Sequence, residues 1–243
     1  MRVVILPSAR AAAEAVARFV AESIRTSPSL VLGLPTGRTP IPFYRSLVAL
    51  HRRGRVDFRR VRTFNLDEFA GIPADHPGSY HAYMRRHLLD HVNLRPSHVR
   101  ILDGMARPWR REVAQFEIDL DAAGGLDLAL LGIGRNGHLG FNEPAGALAA
   151  ATHRVKLSAA SRKANADLFG GRWRDVPTHA LSMGIGTLLG ARTVILLASG
   201  ADKARIVARA FTGPVTTQVP ASLLQVHPNA VAVLDRAAAA RLP

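Results

Sequence analysis

Short apolar runs alternate along the chain with segments whose apolar residues recur at helical spacing. Residues 3–6 predict a first strand, and the periodicity of residues 8–24 predicts a helix with Ser8 as its N-cap. A second strand at 30–34 leads into a helix with Thr39 as predicted N-cap and Pro40 as first helical residue. The alternation continues with predicted strands at 61–65, 126–131, 194–198 and 230–234, a helix after Ser79, and helical segments at 201–211 and 221–224.

Strands that alternate with amphipathic helices predict an α/β fold, in which a mainly parallel sheet carries helices on both faces. We expect a single Rossmann-like domain over residues 1–243, because the chain shows no internal repeat and no linker-like segment. In sheets of this kind, ligands bind beyond the carboxyl ends of the strands. The residues that follow each predicted strand are therefore the candidates for a functional site.

The formal charge of +14 favours anionic partners, and both phosphorylated metabolites and nucleic acid would fit. The arginine-rich stretch at 51–62 has Phe58 as its one stacking platform, so we interpret it as a solvated connection between elements. No apolar stretch reaches the roughly 18 residues that span a bilayer, and the first residues lack the apolar core of a signal peptide. The absence of cysteine excludes disulfides and thiolate chemistry, and we expect a cytoplasmic protein.

A buried strand leads directly into a glycine-rich turn at residues 126–145, which read Leu-Asp-Leu-Ala-Leu-Leu-Gly-Ile-Gly-Arg-Asn-Gly-His-Leu-Gly-Phe-Asn-Glu-Pro-Ala. Such a turn brings bare backbone N–H groups close to a ligand. His138, Asn142 and Glu143 lie within it, and an imidazole beside a carboxylate can move protons near neutral pH. A lone histidine is usually structural, but these surroundings favour an active-site loop.

Leu32-Gly33-Leu34-Pro35-Thr36-Gly37-Arg38-Thr39-Pro40 combines a strand, a glycine turn and the start of a helix. Free N–H groups and the positive end of the helix dipole converge in such a turn, where a phosphate could bind. An ordinary strand-to-helix turn has the same pattern, and no Gly-Lys-Ser/Thr follows to make it a Walker loop.

Asp67 and Glu68 stand just past a predicted strand, between Phe64 and Phe69. Adjacent residues in an extended segment point to opposite sides, so one carboxylate can face a ligand while the other holds a neighbour. An isolated Asp-Glu pair is usually exposed, but the flanking aromatic residues indicate burial. Burial would raise the pKa of a carboxyl group toward useful basicity.

Lys203 is the cation that its position favours most, because it lies only a few residues beyond the predicted strand at 194–198. We expect no metal site, since His138 has no closely spaced histidine partner and the pair His87 and His91 has no third ligand nearby. Residues 146–178 mix Ala, Arg, Lys and Gly without a strong period, and we predict a mobile lid over the site there.

Taken together, these segments resemble the glucosamine-6-phosphate deaminases, within the wider family that includes 6-phosphogluconolactonase. The resemblance runs in one order through nearly the whole chain, and Gly-His-Leu-Gly-Phe-Asn-Glu-Pro is its most specific part. The lactonase branch tends to follow its Gly-His with Thr-Ala-Ser-Leu-Phe-Pro, which this sequence lacks. The segments that carry the resemblance are residues 32–40, 64–69, 79–92, 130–145, 161–165 and 180–235.

The resemblance implies conversion of D-glucosamine 6-phosphate and water to D-fructose 6-phosphate and ammonia, without a metal or organic cofactor. By motif position, Asp67 would move a proton from C2 to C1, His138 would assist opening of the sugar ring, and Glu143 would orient that histidine. Asn136 joins this set, at a position where some family members carry Asp. The implied phosphate- and substrate-binding residues are Thr36, Gly37, Arg38, Thr39, Gly137, Arg162 and Lys203.

Other functions stay open at this point. Arg38 replaces a small residue of the family's turn and, with Asn136, leaves room for a related sugar-phosphate isomerase or a lactonase. A non-catalytic sugar-phosphate sensor is a further alternative, although such regulators carry a DNA-reading module that we do not find before Val3. The sequence leaves both a monomer and a homo-oligomer open. Because the sequence lacks the longer carboxyl-terminal segment of regulated hexameric members, we expect weak or no activation by N-acetylglucosamine 6-phosphate.

Overall fold

A computed structural model describes residues 1–243, and its centre is a seven-stranded sheet. Its strands are β1 (Arg2–Leu6), β2 (Val31–Leu34), β3 (Arg62–Asn65), β5 (Val99–Arg100), β6 (Leu128–Leu131), β9 (Thr193–Ala198) and β10 (Ala230–Asp235). They lie in the order β1-β10-β9-β6-β2-β3-β5, and every neighbouring pair is parallel. The parallel sheet that the sequence predicts is therefore confirmed, and each predicted strand lies within it.

A second sheet, which the sequence analysis missed, contains three antiparallel strands. They are β4 (Asp67–Ala70), β7 (His153–Lys156) and β8 (His179–Ser182), in the order β4-β8-β7. Only Leu66 separates β3 from β4, so the chain passes from one sheet to the other within a single residue. Asp67 therefore lies at the beginning of a strand of its own, at the junction of the two sheets.

Eight α-helices cover the parallel sheet and fill its connections. Two of them begin as predicted, because the side chains of Ser8 and Ser79 accept hydrogen bonds from the backbone N–H groups of Ala11 and Ala82. The helices are α1 (Ala9–Thr26), α2 (Ile41–Arg52), α3 (Tyr80–His87), α4 (Trp109–Ala122), α5 (Ala159–Ala164), α6 (Ile185–Leu189), α7 (Ala204–Thr212) and α8 (Arg236–Ala239).

The sheet buries a separate apolar layer on each face, which confirms the prediction of helices on both sides. In β6, Leu128 and Leu130 belong to the core that includes α1, α2 and α3. Ala129 and Leu131 belong to the opposite core, with α4, α6, α7 and α8. Successive side chains of a strand point to opposite faces, so a strand covered on both faces reads as a continuous apolar run.

The predicted start of α2 is wrong by one residue. The helix begins at Ile41 instead of Pro40, and the N-cap position, occupied by Pro40, makes no side-chain cap bond. A cap at Thr39 would accept from the N–H of Ile41 or of residue 42, but Pro42 has no N–H and that of Ile41 donates to the carbonyl oxygen of Arg38 at 3.4 Å. The helix predicted after Ser79 is short, since α3 ends at His87 and a 3₁₀ turn, Leu89–His91, follows.

The arginine-rich stretch at 51–62 is an exposed connection between α2 and β3, as interpreted from the sequence. Its basic side chains are exposed, while Val56, Phe58 and Val61 anchor it to the apolar core. Residues 146–178, the predicted lid, contain β7, α5 and a 3₁₀ turn at Ala166–Phe169. No helix in the structure combines the length and apolar character needed to cross a bilayer.

Candidate active site

The carboxyl ends of four strands lead into the candidate site. Thr36 to Thr39 follow β2, Asp67 follows β3, residues 132–143 follow β6, and Lys203 follows β9. The loop after β6 passes directly over Asp67, because a side chain placed on Gly140 would lie 3.6 Å from Oδ2 of Asp67. The structure therefore brings Asp67 against the loop that carries His138, as the sequence analysis requires.

The carboxyl group of Asp67 is enclosed by protein, and one of its oxygens is unsatisfied. The residue is 6% exposed, and its Oδ1 is buried without a hydrogen-bond partner. Burial and, secondarily, the charge of Glu68 raise the pKa of Asp67 to about 8. A carboxyl group with this proton affinity can take up and return a proton near neutral pH.

Glu68 has a structural role and points away from Asp67, as the alternation of side chains along an extended segment predicts. Its carboxylate accepts hydrogen bonds from the N–H groups of Phe69, Tyr80 and His81. The Nδ1 atom of His81 is also within 2.8 Å of Oε2 of Glu68. Because these contacts fix the start of α3 to β4, Glu68 is a structural carboxylate that leaves Asp67 free to face the site.

His138 and Glu143 lie together, with Nδ1 of His138 3.7 Å from Oε1 of Glu143. This separation is longer than a hydrogen bond, and His138 Nδ1 is buried without a partner. Asn136 connects the pair, because its Nδ2 donates to Oε2 of Glu143 at 2.5 Å while its Oδ1 accepts from the backbone N–H of His138 at 3.3 Å. Asn136 thus acts as a neutral bridge between them.

The carboxylate of Glu143 is strongly stabilised in its charged form. Burial by itself would raise its pKa, but contacts with His138, Ser161 and Asn136 lower the pKa of Glu143 to about 2. Glu143 therefore provides a permanent negative charge beside the imidazole across the physiological pH range.

Two glycines of the loop after β6 are needed for this arrangement. A Cβ atom on Gly134 would lie 2.2 Å from Cε1 of the His138 ring, so only glycine lets the imidazole rest on the backbone there. Gly137 has a φ of +93°, and a Cβ atom there would lie 2.8 Å from Cγ1 of Val219. The glycine spacing thus sets the position of His138.

A group of cations borders the other end of the site. Lys203 is half-buried, and its Nζ donates to the carbonyl oxygen of Ile133 at 2.8 Å. Burial lowers the pKa of Lys203, Asp202 opposes this change, and the charges of Arg135 and Arg38 lower the pKa further. Arg135 pairs with Asp202 at 3.0 Å and Arg38 with Asp167 at 3.5 Å, so Lys203 is the one cation of this group without a carboxylate partner.

The turn at residues 36–39 is open toward solvent, and a hydrogen bond from Tyr83 fixes its backbone. Gly37 has a φ of +104°, and a Cβ atom added there would have no neighbouring atom within 4 Å. The hydroxyl of Tyr83 donates to the carbonyl oxygen of Gly37 at 2.6 Å. An open turn with a fixed backbone can bind an anion without rearrangement.

Arg162 is placed differently from the other implied phosphate-binding residues. Its Nε donates to the carbonyl oxygen of Val176 and its Nη2 to that of Arg174, and the guanidinium lies over the Trp173 ring. These contacts hold it within residues 146–178, whereas Lys203 and Arg38 form the cationic group described above. The remaining N–H donors of Arg162 are those that a phosphate could use.

Residues 158–167 are joined to the rest of the site by polar contacts. The hydroxyl groups of Ser161 and Ser158 both donate to Oε1 of Glu143, the latter at 3.3 Å. Tyr80 donates to Oδ1 of Asn165 at 3.3 Å, and Arg38 forms an ion pair of 3.5 Å with Asp167. The predicted lid is in contact with three separate parts of the site in this structure.

Comparison with known proteins identifies the relatives of this chain. The family described as glucosamine-6-phosphate isomerases/6-phosphogluconolactonase matches residues 7–233. A glucosamine-6-phosphate deaminase of Halothermothrix orenii is 44% identical over 242 residues, covering 100% of both chains. A deaminase of Streptomyces coelicolor is 43% identical over 242 residues, covering 100% of this chain and 93% of the relative.

The chain belongs to the glucosamine-6-phosphate isomerase and 6-phosphogluconolactonase family. The resemblance drawn from the sequence motifs is confirmed. The solved structure of a monomeric glucosamine-6-phosphate deaminase matches with a TM-score of 0.96 and 39% identity, covering 99% of this chain and 100% of that chain. A 6-phosphogluconolactonase of Trypanosoma brucei has the same fold, with a TM-score of 0.74 at 20% identity.

Some residues that lie at the candidate site were not predicted from the sequence. The sequence around Ser158 and Ser161 indicates only a helix cap, and nothing distinguishes Arg135 from the many other arginines of the chain. Ser182 was also missed; its Oγ accepts from the N–H of Phe141 at 3.1 Å and so fixes the loop beside Asp67. A serine at the end of β8 could have been singled out only after that strand was recognised.

No group of three or more His, Asp or Glu side chains is arranged to hold a metal ion.

Proposed function

We infer that the chain is an enzyme that converts D-glucosamine 6-phosphate and water to D-fructose 6-phosphate and ammonia. Deaminase relatives that are 43% and 44% identical over the whole of this chain favour this reaction. The 6-phosphogluconolactonase structures of the family are 18 to 20% identical, and their similarity concerns the fold alone. A non-catalytic sensor would not need a buried carboxyl group beneath a loop that carries an imidazole and a carboxylate.

The observation that carries the proposal is the state of Asp67. Its Oδ1 has no partner in the protein, and its pKa is raised to about 8. In the proposed reaction, ionised Asp67 takes the proton from C2 of the open-chain amino sugar, and the protonated carboxyl returns it to C1 through an enolamine. The ketose skeleton then forms as water replaces the amine, which leaves as ammonia.

His138 would open the sugar ring before this step, by moving a proton between the anomeric hydroxyl and the ring oxygen. Glu143 would keep the imidazole oriented and balance its charge when it holds the proton. Asn136 supports this role because it contacts both residues of the pair. Asp67 and His138 thus serve two different proton transfers on one substrate.

The phosphate would bind at the cationic end of the site. Thr36, Gly37, Arg38 and Thr39 offer an open turn, while Lys203 adds a half-buried ammonium group. Gly137 would keep the adjoining loop in place, and Arg162 would reach the phosphate with the N–H donors that its carbonyl partners leave over. We further propose that residues 146–178 act as a mobile lid, and that the enzyme is cytoplasmic and does not bind nucleic acid.

The test is the release of ammonia from D-glucosamine 6-phosphate by purified, folded protein, measured together with the formation of fructose 6-phosphate. We expect both products in equal amounts, and Asp67→Asn is expected to lower kcat by about three orders of magnitude. Asp75→Asn, which changes an exposed aspartate outside the site, is the matched control. A folded protein that releases no ammonia, or one that hydrolyses 6-phosphogluconolactone instead, would overturn the proposal.

A further inference from the structure

Three side chains, those of Ser161, Ser158 and His138, face one oxygen atom, Oε1 of Glu143. The hydroxyl of Ser161 donates to this oxygen, and Ser158 donates to it at 3.3 Å. Nδ1 of His138 faces the same oxygen at 3.7 Å and has no hydrogen-bond partner. The oxygen that would support the imidazole is therefore occupied by hydroxyl groups from another element.

That element is α5, which lies within residues 146–178. Ser158 is its N-cap, because its Oγ accepts from the N–H of Ser161 at 3.1 Å, and Ser161 is only 4% exposed. Ser161 is thus held on one turn of helix with its hydroxyl enclosed at the carboxylate. The other oxygen, Oε2, accepts from Asn136 at 2.5 Å, which keeps Glu143 from turning freely.

We propose that Ser161 is a positioning residue, whose hydroxyl holds Oε1 of Glu143 away from Nδ1 of His138 and so links the imidazole to the position of α5. The inference rests on the proposed function for its consequence, since His138 must both bind and release a proton in each turnover. A proton carrier works best when it holds the proton neither too weakly nor too strongly. A direct hydrogen bond from Nδ1–H to Glu143 would hold the proton of the imidazolium more strongly than the separated pair, in which Glu143 acts through its charge and through Asn136.

The first measurement needs no activity. In the wild-type protein, NMR of the histidine rings labelled with ¹⁵N is expected to show no slowly exchanging, downfield Nδ1 proton for His138. In Ser161→Ala this signal should appear, because the freed Oε1 can accept from Nδ1–H. The signal is assigned by its loss in the double variant with His138→Gln. Lys163→Gln, which changes an exposed side chain of the same helix, should leave the spectrum of His138 as in the wild type.

The second measurement is kinetic. Ser161→Ala is expected to lower kcat for ammonia release about tenfold and to leave KM within about twofold, since the change affects proton transfer and not phosphate binding. Ser161→Thr keeps the hydroxyl and should restore both kcat and the wild-type spectrum, whereas Ser161→Cys, a weak donor, should behave like alanine.

The outcomes separate the inference from the proposed function. If Ser161→Ala has the wild-type imidazole spectrum, or if Ser161→Thr is as impaired as Ser161→Ala, the positioning role is wrong. If the wild type releases no ammonia, the proposed function fails, and the spectra still decide whether Ser161 keeps Glu143 from His138.

Discussion

Replacement of Asp67 by asparagine should make the protein more stable while it removes activity. The folded state raises the pKa of Asp67 from 3.8 to about 8, so the folded carboxyl keeps a proton that the unfolded chain has already lost. The contribution of Asp67 to the free energy of unfolding is therefore fully present below pH 3.8, and it is lost as the pH rises toward 8. At 1.36 kcal/mol per pH unit, this amounts to about 4 kcal/mol by pH 7, and to about 3 kcal/mol between pH 5 and pH 7.

The amide in the Asp67→Asn variant is neutral at every pH, so the variant escapes this loss. We expect the difference in the free energy of unfolding between Asp67→Asn and the wild type to grow by about 3 kcal/mol from pH 5 to pH 7, and to level off above about pH 8. Urea unfolding followed by circular dichroism at half-unit pH intervals measures this difference. Other titrating groups cancel because both proteins contain them.

The exposed control Asp75→Asn should show a difference that is flat over the same pH range. A flat difference for Asp67→Asn as well would refute the reasoning, because the carboxyl would then titrate alike in the folded and unfolded states. A gain in stability that accompanies loss of kcat would instead show that the fold carries a strained group for the sake of function.

Three further predictions concern activity in ammonia release. Because Asp67 must be ionised to act as a base, kcat/KM should rise with pH along a limb centred near 8, and a flat profile between pH 7 and pH 9 would contradict this. Gly134→Ala should lower kcat about a hundredfold by displacing the His138 ring. The control Gly146→Ala should leave kcat unchanged, because no atom lies within 4 Å of the added methyl group. Equal kcat values for the two variants would refute the steric argument. Lys203→Met should raise KM about tenfold to a hundredfold through loss of a phosphate contact, with exposed Lys156→Met as control, and an unchanged KM would exclude that contact.

The parallel sheet was predictable because each of its buried strands is a short apolar run with a helical pattern beside it. Leu128–Leu131 is fully buried, and its two faces contact different helical layers. The small sheet gave no such signal. Its strand His153–Lys156 alternates half-buried and exposed side chains, two of them basic, and it pairs with a strand that comes more than twenty residues later. Pairing across that distance depends on the rest of the fold.

The candidate site shows the same division. His138, Glu143 and Asp67 were predicted because local patterns mark them, namely a glycine-rich turn and an acidic pair between aromatic residues. Ser161 could not be found in this way, because its contact with Glu143 joins residues 18 positions apart through a helix of six residues. The start of α2 was misplaced for a local reason, since Pro42 lacks an N–H and that of Ile41 donates to Arg38, so neither donor that a cap at Thr39 would use is available.

The proton affinity of Asp67 follows from the point at which the chain changes sheets. Leu66 is the one residue between the two sheets, and its N–H donates to Leu34 of β2 while its carbonyl accepts from Met183 beyond β8. The backbone of Leu66 is thus satisfied by both sheets, which fixes Asp67 at the first position of β4, opposite Ser182. The side chain at that position is buried beneath the loop at Gly140, and its Oδ1 has no hydrogen-bond partner. A carboxyl group at this junction is buried without a full set of hydrogen-bond donors, and that burial, together with the neighbouring charge of Glu68, raises its pKa.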